Sequence, residues 1–280
     1  MTDRALDEYA RLAMSMADEA AQTACYWFGR ATASRKADGS DVTNADICIQ
    51  EMMVERIRGA YGDHLIVGEE TGVVGGSPAD ALRAEYCWVT DPLDGTRNFA
   101  RAVPVFSTAI TLLERGRPVV GVVQSLTTGD TYLATRGRGA THNGRALTAN
   151  PQPCDERSML AVQSTIRDGD RRILDSFAGT AVLRNLGSTA LHLALVAAGG
   201  FCGAVGWECK LWDVAAGWLL VEEAGGLCTD WVGQSLIPFS AEAFAGRDVP
   251  FVAAGRQAHT QLLSRLARAG DPPPRTPPGS

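Results

Sequence analysis

The chain has 280 residues, of which 45% are hydrophobic and 21% charged, and its formal net charge at pH 7 is −6. A chain of this size and composition can bury a large core, either as one two-part unit or as two tightly packed domains. The acidic balance argues against nucleic acid or an anionic membrane as a main partner.

The N-terminal part predicts two helices joined by a polar segment. Residues 3–30 have the apolar spacing of an amphipathic helix, and residues 44–60 predict a second one. One stripe of the first helix carries Leu6, Tyr9, Leu12, Ala13 and Met16. Between the helices, the segment from Lys36 to Asp46 is a Gly/Ser-containing loop that ends in a helix N-cap pattern. From these residues alone it carries no further function.

A short strand with an acidic end follows at Leu65 to Gly68. Glu69 and Glu70 come directly after it. Taken alone, the pair is typical of solvated surface glutamates, which is the usual fate of such residues. Glu69 precedes Asp91 by 22 positions, however, so two neighbouring strands could present both carboxylates at one edge of a sheet.

The segment from Tyr86 to Thr96 is the most informative part of the chain. Tyr86 to Val89 predicts a buried strand, so Asp91 would emerge at its C-terminal end, where α/β sheets usually place ligands. We expect Pro92 to stop the strand's hydrogen-bond ladder and to leave the Leu93 carbonyl as a hard oxygen ligand.

The residues that follow Leu93 add a second carboxylate and a turn whose backbone amides can bind a phosphate group. Asp94 lies three residues after Asp91. Gly95 permits close backbone approach, so its amide and that of Thr96 can point at a phosphate oxygen. The Thr96 hydroxyl can orient a water. An ordinary Asp-capped turn between a strand and a helix is the alternative interpretation.

The middle of the chain changes character. Residues 103–148 predict strands with hairpin turns at Arg115-Gly116-Arg117 and His142-Asn143-Gly144-Arg145. Pro151-Gln152-Pro153 is typical of a linker, so the predicted halves are residues 1–150 and 151–268, with a disordered Pro-rich tail at 269–280.

The second half alternates strands with helices. Strands are predicted at residues 159–162 and 181–183, and a helix is predicted from Ser188 to Ala198, with Ser188 a good N-cap. The apolar stretch from Leu191 to Trp207 is interrupted by His192 and two glycines, so it predicts a buried helix followed by a strand rather than a membrane span.

A third acidic position stands at the start of an apolar helix. Asp213 precedes an Ala/Leu/Val-rich stretch that ends at Gly225-Gly226, a plausible C-cap. A simple N-cap aspartate would explain Asp213, and that role is compatible with metal binding because a helix N-terminus favours the ionised carboxylate.

Three motifs together resemble the signatures of the inositol monophosphatase family, Mg²⁺-dependent and lithium-sensitive phosphomonoesterases related to fructose bisphosphatase. They are Gly68-Glu69-Glu70, Asp91-Pro92-Leu93-Asp94-Gly95-Thr96 and Trp212-Asp213-Val214-Ala215-Ala216-Gly217. The similarity runs from about the N-terminal helix to roughly residue 265, and three motifs in family order are much more specific than one. The resemblance implies a layered α/β fold of alternating helix-sheet-helix-sheet-helix layers, usually in a homodimer.

The resemblance also implies roles for individual residues. The first metal ion would be held by Glu69, Asp91 and the Leu93 carbonyl, and the second by Asp91, Asp94 and Asp213. Thr96, paired with Asp46, would position the attacking water, with Glu69 and with Lys36 of the family's catalytic loop as further catalytic residues. The substrate would be bound by Asp94, Gly95, Thr96, Gly187, Ser188 and Asp213.

The chemistry follows from charge. Four converging carboxylates raise one another's pKa values, so such a cluster is tolerable only with divalent cations present. Mg²⁺ suits an all-oxygen site that also takes phosphate oxygens, and two or three ions are expected. A pair of ions can activate a water and stabilise the leaving-group oxygen, so no Ser-His-Asp or Cys nucleophile is needed.

The substrate is less determined than the chemistry. Family members that act on inositol phosphate usually have a glutamate seven residues before the Trp-Asp aspartate, and here that position is Gly206. Glu208 is a candidate substitute at a displaced position. An enlarged pocket at Gly206 would admit a different leaving group. Histidinol phosphate, a sugar phosphate or bisphosphate and adenosine 3′,5′-bisphosphate therefore remain alternatives to an inositol-1-phosphate-like monoester.

The sequence disfavours two other classes of function. A non-catalytic metal-binding relative that contacts a partner is disfavoured by Thr96 and Asp46, because a pure metal holder has no use for a water-orienting pair. Two-metal cleavage of nucleic acid is disfavoured by the acidic balance. The expected partner is thus a small-molecule phosphate monoester, with neither nucleic acid nor membrane.

Cysteine usage and the N-terminus bear on location. The seven cysteines are odd in number and lack C-x-x-C spacing, so neither a zinc site nor a disulfide framework is indicated, and most are expected to be small core residues. They suit the reducing cytoplasm. The start of the sequence, Met-Thr-Asp-Arg, lacks an apolar signal core, which also favours a cytoplasmic protein.

Overall fold

The structure is a computed structural model that describes residues 2–37, 39–240 and 248–270. The predicted tail at 269–280 lies outside the described residues except for its first two positions, and residue 269 ends a helix.

The first half contains two long helices and a small hairpin. Helix α1 begins after the Thr2 N-cap, whose side chain accepts a hydrogen bond from the Ala5 amide. Helix α2 begins after Thr43, which forms a reciprocal capping box with Asp46. The elements are α1 (Asp3–Trp27), β1 (Ala33–Arg35), β2 (Asp41–Thr43) and α2 (Asn44–Ala60). Both predicted helices are therefore present, and the first ends three residues early.

An eight-stranded sheet follows, with two short helices inserted. Its order is β10-β9-β8-β7-β6-β5-β3-β4, with β3 and β5 parallel and the other pairs antiparallel. The elements are β3 (Leu65–Gly68), β4 (Gly72–Val74), α3 (Pro78–Ala81), β5 (Tyr86–Asp94), α4 (Thr96–Ala100), β6 (Ser107–Glu114), β7 (Arg117–Ser125), β8 (Thr131–Thr135), β9 (Ala140–His142) and β10 (Arg145–Ala146). The two predicted hairpin turns lie between β6 and β7 and between β9 and β10, each with two residues at positive φ.

The rest of the described chain forms a five-stranded sheet with its helices. The strand order is β12-β11-β13-β15-β14. The elements are β11 (Met159–Val162), α5 (Arg171–Ser176), β12 (Val182–Arg184), α6 (Thr189–Ala197), β13 (Gly203–Gly206), α7 (Leu211–Glu223), β14 (Leu227–Thr229), β15 (Phe251–Ala254) and α8 (Arg256–Ala269). The chain passes from one sheet to the other between β10 and β11, a connection that includes Pro151. The division into two halves there stays a prediction.

Stacking of these elements produces five layers. Helices α1 and α2 pack on one face of the large sheet, and α6 and α7 pack between the two sheets. Helices α5 and α8 cover the outer face of the small sheet. Each interface has its own apolar core, and the middle one contains the all-round apolar α6 and α7, as expected for helices buried on two sides. The predicted alternation of helix and sheet layers is confirmed.

Strand β5 differs from its prediction in one useful way. It does not end near Pro92 but continues to Asp94, because the pairing with β6 shifts register between Asp91 and Asp94. A bulge tolerates a proline that a regular ladder would not. The ladder is interrupted at Pro92 and Leu93, as expected, but it resumes at Asp94, so the strand extends beyond its predicted end.

Two of the cysteines form a disulfide that was not expected. Cys154 and Cys202 form a disulfide in the core between the small sheet and its outer helices, although the spacing of the cysteines did not indicate one. Cys87, Cys209 and Cys228 are buried and Cys25 and Cys48 are exposed, so most cysteines are core residues as expected. In the part of the chain that the structure describes, no helix combines the length and apolarity needed to cross a membrane.

Candidate active site

Two neighbouring parallel strands bring the first acidic residues together. In the register of β3 and β5, Gly68 lies opposite Thr90, so Glu69 and Asp91 leave the sheet at the same edge. The Glu69 amide donates to the Thr90 carbonyl at 3.2 Å, which continues the pairing by one residue. Asp94, at the end of the bulge, and Asp213, in the first turn of α7, reach the same cleft of about 500 Å³.

Burial, with repulsion between neighbouring carboxylates added to it, determines the electrostatics of this cleft. Burial, followed by the charges of Glu69 and Asp94, raises the pKa of Asp91 well above its usual range. Burial and the charge of Asp94 likewise raise the pKa of Asp213. The pKa of Asp94 rises to about 7, chiefly through burial. Such carboxylates are poorly compensated by the protein alone and favour an added cation.

Asp94 is fixed from the other half of the chain. Its Oδ2 accepts hydrogen bonds from the Ser188 hydroxyl and from the Ala190 amide, both at 2.7 Å. These bonds, at the start of α6, oppose the rise in its pKa because they stabilise the charged form. The carboxylate is thereby oriented by two donors that lie 94 and 96 positions further along the chain.

Ser188 is at once a helix cap and a support for Asp94. Its hydroxyl accepts from the Leu191 amide at 3.2 Å and lies 2.9 Å from the Ser107 hydroxyl, and its side chain is fully buried. The structure thus places Ser188 behind Asp94 rather than on the open face of the cleft. A direct contact with substrate, which the resemblance implied, would require this buried hydroxyl to move, and that contact stays a prediction.

Asp213 is the third residue of α7, not its N-cap. Its Oδ2 accepts from the Lys210 amide at 2.7 Å, and Lys210 is the residue that caps the helix. One carboxylate oxygen therefore completes the helix start while the side chain lines the cleft. The predicted position at a helix N-terminus holds, and the simple N-cap interpretation is wrong.

Thr96 and Asp46 meet at the floor of the cleft. The Thr96 hydroxyl lies 2.8 Å from Asp46 Oδ1 and 3.0 Å from the Leu93 carbonyl oxygen. One hydroxyl proton can serve only one of these acceptors at a time. Burial raises the pKa of Asp46, and the hydrogen bonds from Thr43 and Thr96 oppose that rise. A carboxylate and a hydroxyl in this arrangement can share the proton of a bound water.

Lys36 supplies a positive charge to the acidic edge. Its Nζ lies 2.8 Å from Glu69 Oε1 and 2.5 Å from Glu70 Oε1. Burial alone would lower the pKa of Lys36, but attraction to the two glutamates outweighs burial and raises it. Glu70, which the resemblance did not assign a role, has its pKa raised to about 7 by burial and by the charge of Glu69.

Two positions beside the cleft have room only for glycine. Gly95 has φ 102°, and a Cβ there would lie 3.2 Å from the carbonyl oxygens of Gly187 and Val105. Gly187 has φ 80°, and its Cβ would lie 2.5 Å from the Asn98 side chain. A side chain at either position would be strained and crowded. The backbone at both positions can therefore approach a small anionic group.

The set of donors fits a hard divalent cation. Four carboxylates and the Leu93 carbonyl line one cleft, all of them oxygen ligands of the kind that Mg²⁺ and Ca²⁺ take. Within residues 2–37, 39–240 and 248–270, no three His, Cys, Asp or Glu side chains are already arranged to hold an ion. In this arrangement the Glu69 carboxylate pairs with Lys36.

The predicted pocket at Gly206 does not exist. A Cβ at Gly206 would lie 2.4 Å from the Phe251 ring and 2.8 Å from the Cys209 sulfur, so that space is filled. Trp207 is core, as expected, with 2% exposure. Glu208 does line the cleft, and its carboxylate pairs in a bidentate manner with Arg167 at 3.0 and 3.3 Å.

Several residues that shape the cleft were not predicted. Asn98 donates to the carbonyls of Val105 and Leu186 at 2.7 and 2.8 Å, which ties α4 to the loop before α6. His192 accepts from the Leu186 amide at 2.9 Å, and Gln163 accepts from the amides that follow β13. Nothing in their local sequence distinguishes them from ordinary polar residues, because their partners are distant in the chain.

Comparisons with known proteins show the family and the fold of this chain. The model of the inositol monophosphatase family matches residues 5–270. "Nus factor SuhB" of Pseudomonas aeruginosa is 40% identical over 203 residues, covering 69% of this chain and 73% of that protein. The chloroplastic phosphatase IMPL1 of Arabidopsis thaliana is 33% identical, covering 81% of this chain and 61% of that protein. The inositol monophosphatase structure from Thermotoga maritima superimposes with a TM-score of 0.81 at 28% identity, covering 96% and 98% of the two chains.

The layered fold and the acidic cleft define a phosphatase-type site of the inositol monophosphatase class. The chain belongs to the inositol monophosphatase family. Membership supports phosphatase activity as the general class of function.

Proposed function

We propose that this protein hydrolyses a small phosphate monoester, inositol-1-phosphate-like, in a Mg²⁺-dependent reaction. The observation that carries the proposal is the convergence of Glu69, Asp91, Asp94 and Asp213 on one cleft, where burial and then neighbouring charges raise the pKa values of the three aspartates. Cations would supply charge neutralisation and an acidified water when bound.

The residues of the cleft would hold the cations, orient the water and contact the phosphate group. Asp91, between the other carboxylates, would contact both ions, and Glu69 with the Leu93 carbonyl would complete one site. Asp94 and Asp213 would complete the other. Thr96 and Asp46 orient the water and take its proton, for which their 2.8 Å contact is suited. The amides at Gly95 and Thr96 approach the phosphate group.

The alcohol portion of the substrate would lie against the second half of the chain. That side of the cleft is lined by mostly polar residues, namely Gln163, Ser164, Thr165, Asn185, Gly187 and Glu208. Hydroxyl, amide and carboxylate groups of this kind suit a polar leaving group. An inositol phosphate comes first because the chain belongs to the inositol monophosphatase family, and histidinol phosphate, a sugar phosphate or bisphosphate and adenosine 3′,5′-bisphosphate are the alternatives.

Phosphate release by the purified protein tests the proposal. Activity on a panel of these esters should appear with Mg²⁺ and vanish with EDTA. Asp91→Asn should lower kcat by several orders of magnitude while the protein stays folded. Asp170→Asn is the matched control, because Asp170 is also buried but caps a helical turn away from the cleft. Near-normal activity of Asp91→Asn at saturating Mg²⁺ would show that the metal assignment is wrong.

A second candidate function is a non-catalytic interaction role. It is favoured by one observation, that relatives 35–40% identical are named as a factor rather than as an enzyme. In that case, phosphate release would be absent from every ester in the panel, and Mg²⁺ would still stabilise the protein against unfolding.

A further inference from the structure

The hairpin that carries Lys36 has little support of its own. Strands β1 and β2 form three residue pairs and join no other strand among the described residues. All three residues of β1 are exposed. Two-stranded hairpins of this kind are marginally stable in water, so the position of Lys36 must depend on contacts made elsewhere.

Two anchors lie at the ends of the hairpin. At its base, the Thr32 amide donates to Asn44 Oδ1 at 3.0 Å and the Asn44 amide donates to the Thr32 carbonyl at 3.3 Å. At its tip, Lys36 contacts Glu69 and Glu70. The base fixes where the hairpin leaves the fold but does not fix the angle at which the tip approaches the cleft.

A third anchor joins the residue pair nearest the turn of the hairpin to helix α4. Asp41 Oδ2 lies 3.2 Å from Arg101 Nη1 and 3.7 Å from Arg97 Nε. Arg101 Nη1 also donates to the Arg97 carbonyl at 3.2 Å, which fixes the guanidinium on α4. The Asp41 side chain is 22% exposed, and the two arginines are about 60% exposed.

Asp41 is close enough to Lys36 in the hairpin for this ion pair to affect the position of Lys36. Asp41 lies opposite Arg35 in the hairpin register, and Lys36 follows Arg35 directly. The Lys36 amide in turn donates to the Ser40 carbonyl at 2.8 Å. Helix α4 begins at Thr96, the residue that contacts Asp46 at the floor of the cleft. The ion pair therefore ties the Lys36 backbone to the element that bears Thr96.

We propose that Asp41 is a positioning residue: its ion pair with Arg101 holds the hairpin at the angle that lets Lys36 reach Glu69 and Glu70. The inference rests on the proposed phosphatase function, because it assigns Asp41 to the same site. Asp41 and Arg97 also line the cleft, so a direct contact with substrate is the competing explanation that the experiment must separate.

The experiment compares kcat, KM and hydrogen–deuterium exchange in the full-length protein. Asp41→Asn and Arg101→Gln should each lower kcat about threefold to fivefold, the factor that one partly exposed ion pair can supply, with KM changed less than twofold. The kcat of the double variant should be about the same as that of either single variant, because both changes break the same pair. Arg4→Gln, which breaks an exposed pair with Glu8 on α1, is the control and should behave as wild type.

A Lys36→Met background tests whether the effect passes through Lys36. In that background Asp41→Asn should change kcat less than twofold, because the Lys36 ammonium group that Asp41 would position is absent. Amides of residues 33–43 should exchange several times faster in Asp41→Asn than in wild type, and ionic strength of about 0.5 M should reduce the difference in kcat between the two proteins.

Each outcome has a distinct meaning. A raised KM with unchanged kcat, or an equal loss from Asp41→Asn in the Lys36→Met background, would overturn the inference in favour of direct substrate contact. Unchanged exchange of the hairpin amides would also overturn it. If the wild-type protein releases no phosphate, the proposed function fails, and the exchange measurement alone still decides whether Asp41 holds the hairpin.

Discussion

Asp94 offers a test in which stability and activity should change in opposite directions. The pKa of Asp94 rises from 3.8 to about 7, through burial and despite hydrogen bonds from Ser188 and Ala190. A shift of about 3 pKa units corresponds to about 4 kcal/mol of unfolding free energy at most. Asp94→Asn removes the charge and retains an oxygen that can accept from Ser188 and Ala190. The metal-free variant should therefore be about 1–4 kcal/mol more stable than wild type at pH 8.

The sign with pH follows from the direction of the shift. A folded-state pKa above the unfolded value means that folding opposes ionisation. The cost is therefore absent below pH about 4, grows as the pH rises, and is complete above about 7. The advantage of Asp94→Asn should fade between pH 8 and pH 4. Added Mg²⁺ should reverse the order, because wild type would bind the ion and the variant would bind it weakly.

Urea unfolding in EDTA and in Mg²⁺, at several pH values, measures both effects, and phosphate release should be lost in the variant. Asp130→Asn is the control of opposite sign, because hydrogen bonds from Thr128 and His142 lower the pKa of Asp130. Its loss of charge should slightly destabilise the protein. An Asp94→Asn protein that is less stable than wild type in EDTA at pH 8 would refute the argument that the buried, ionised Asp94 destabilises the metal-free fold.

Three further predictions concern residues away from the carboxylates. Gly206→Ala should lower the unfolding free energy by about 1–3 kcal/mol, because its Cβ would crowd Phe251, and should open no new substrate range in the ester panel. Cys154→Ala should cost about 4 kcal/mol from the loop of 48 residues closed with Cys202, and dithiothreitol should then have no further effect on urea unfolding. Burial lowers the pKa of His192 to about 4, so wild type should lose about 3 kcal/mol as the pH falls from 6.5 to 4, and His192→Gln should lose much less.

Local sequence determined the chemistry of the site to a large extent. The apolar strands before Glu69 and Asp91 end in a glycine or an acidic residue. Such strand ends depend on residues within a few positions of each other. The structure has β3 and β5 as parallel neighbours, so both carboxylates reach one edge as the spacing suggested. The helix starts at Thr43 and Ser188 are likewise local, because a cap bonds within one turn.

Contacts between distant segments decided the rest. The Cys154–Cys202 disulfide, the space at Gly206 that Phe251 fills, and the burial of Ser188 behind Asp94 all join residues at least 45 positions apart. No periodicity or turn pattern encodes such distances. They depend on how two sheets and the helices between them pack.

The sequence by itself thus determined the residue types and local turns that make an acidic, phosphate-sized site, together with the alternation of helices and strands. The tertiary structure alone decided which carboxylates repel one another, that Glu208 faces the cleft instead of a residue at 206, and that Asp41 ties the Lys36 hairpin to α4. The physical reason is that propensities and caps act over a few residues, whereas electrostatic coupling and packing depend on distance in space.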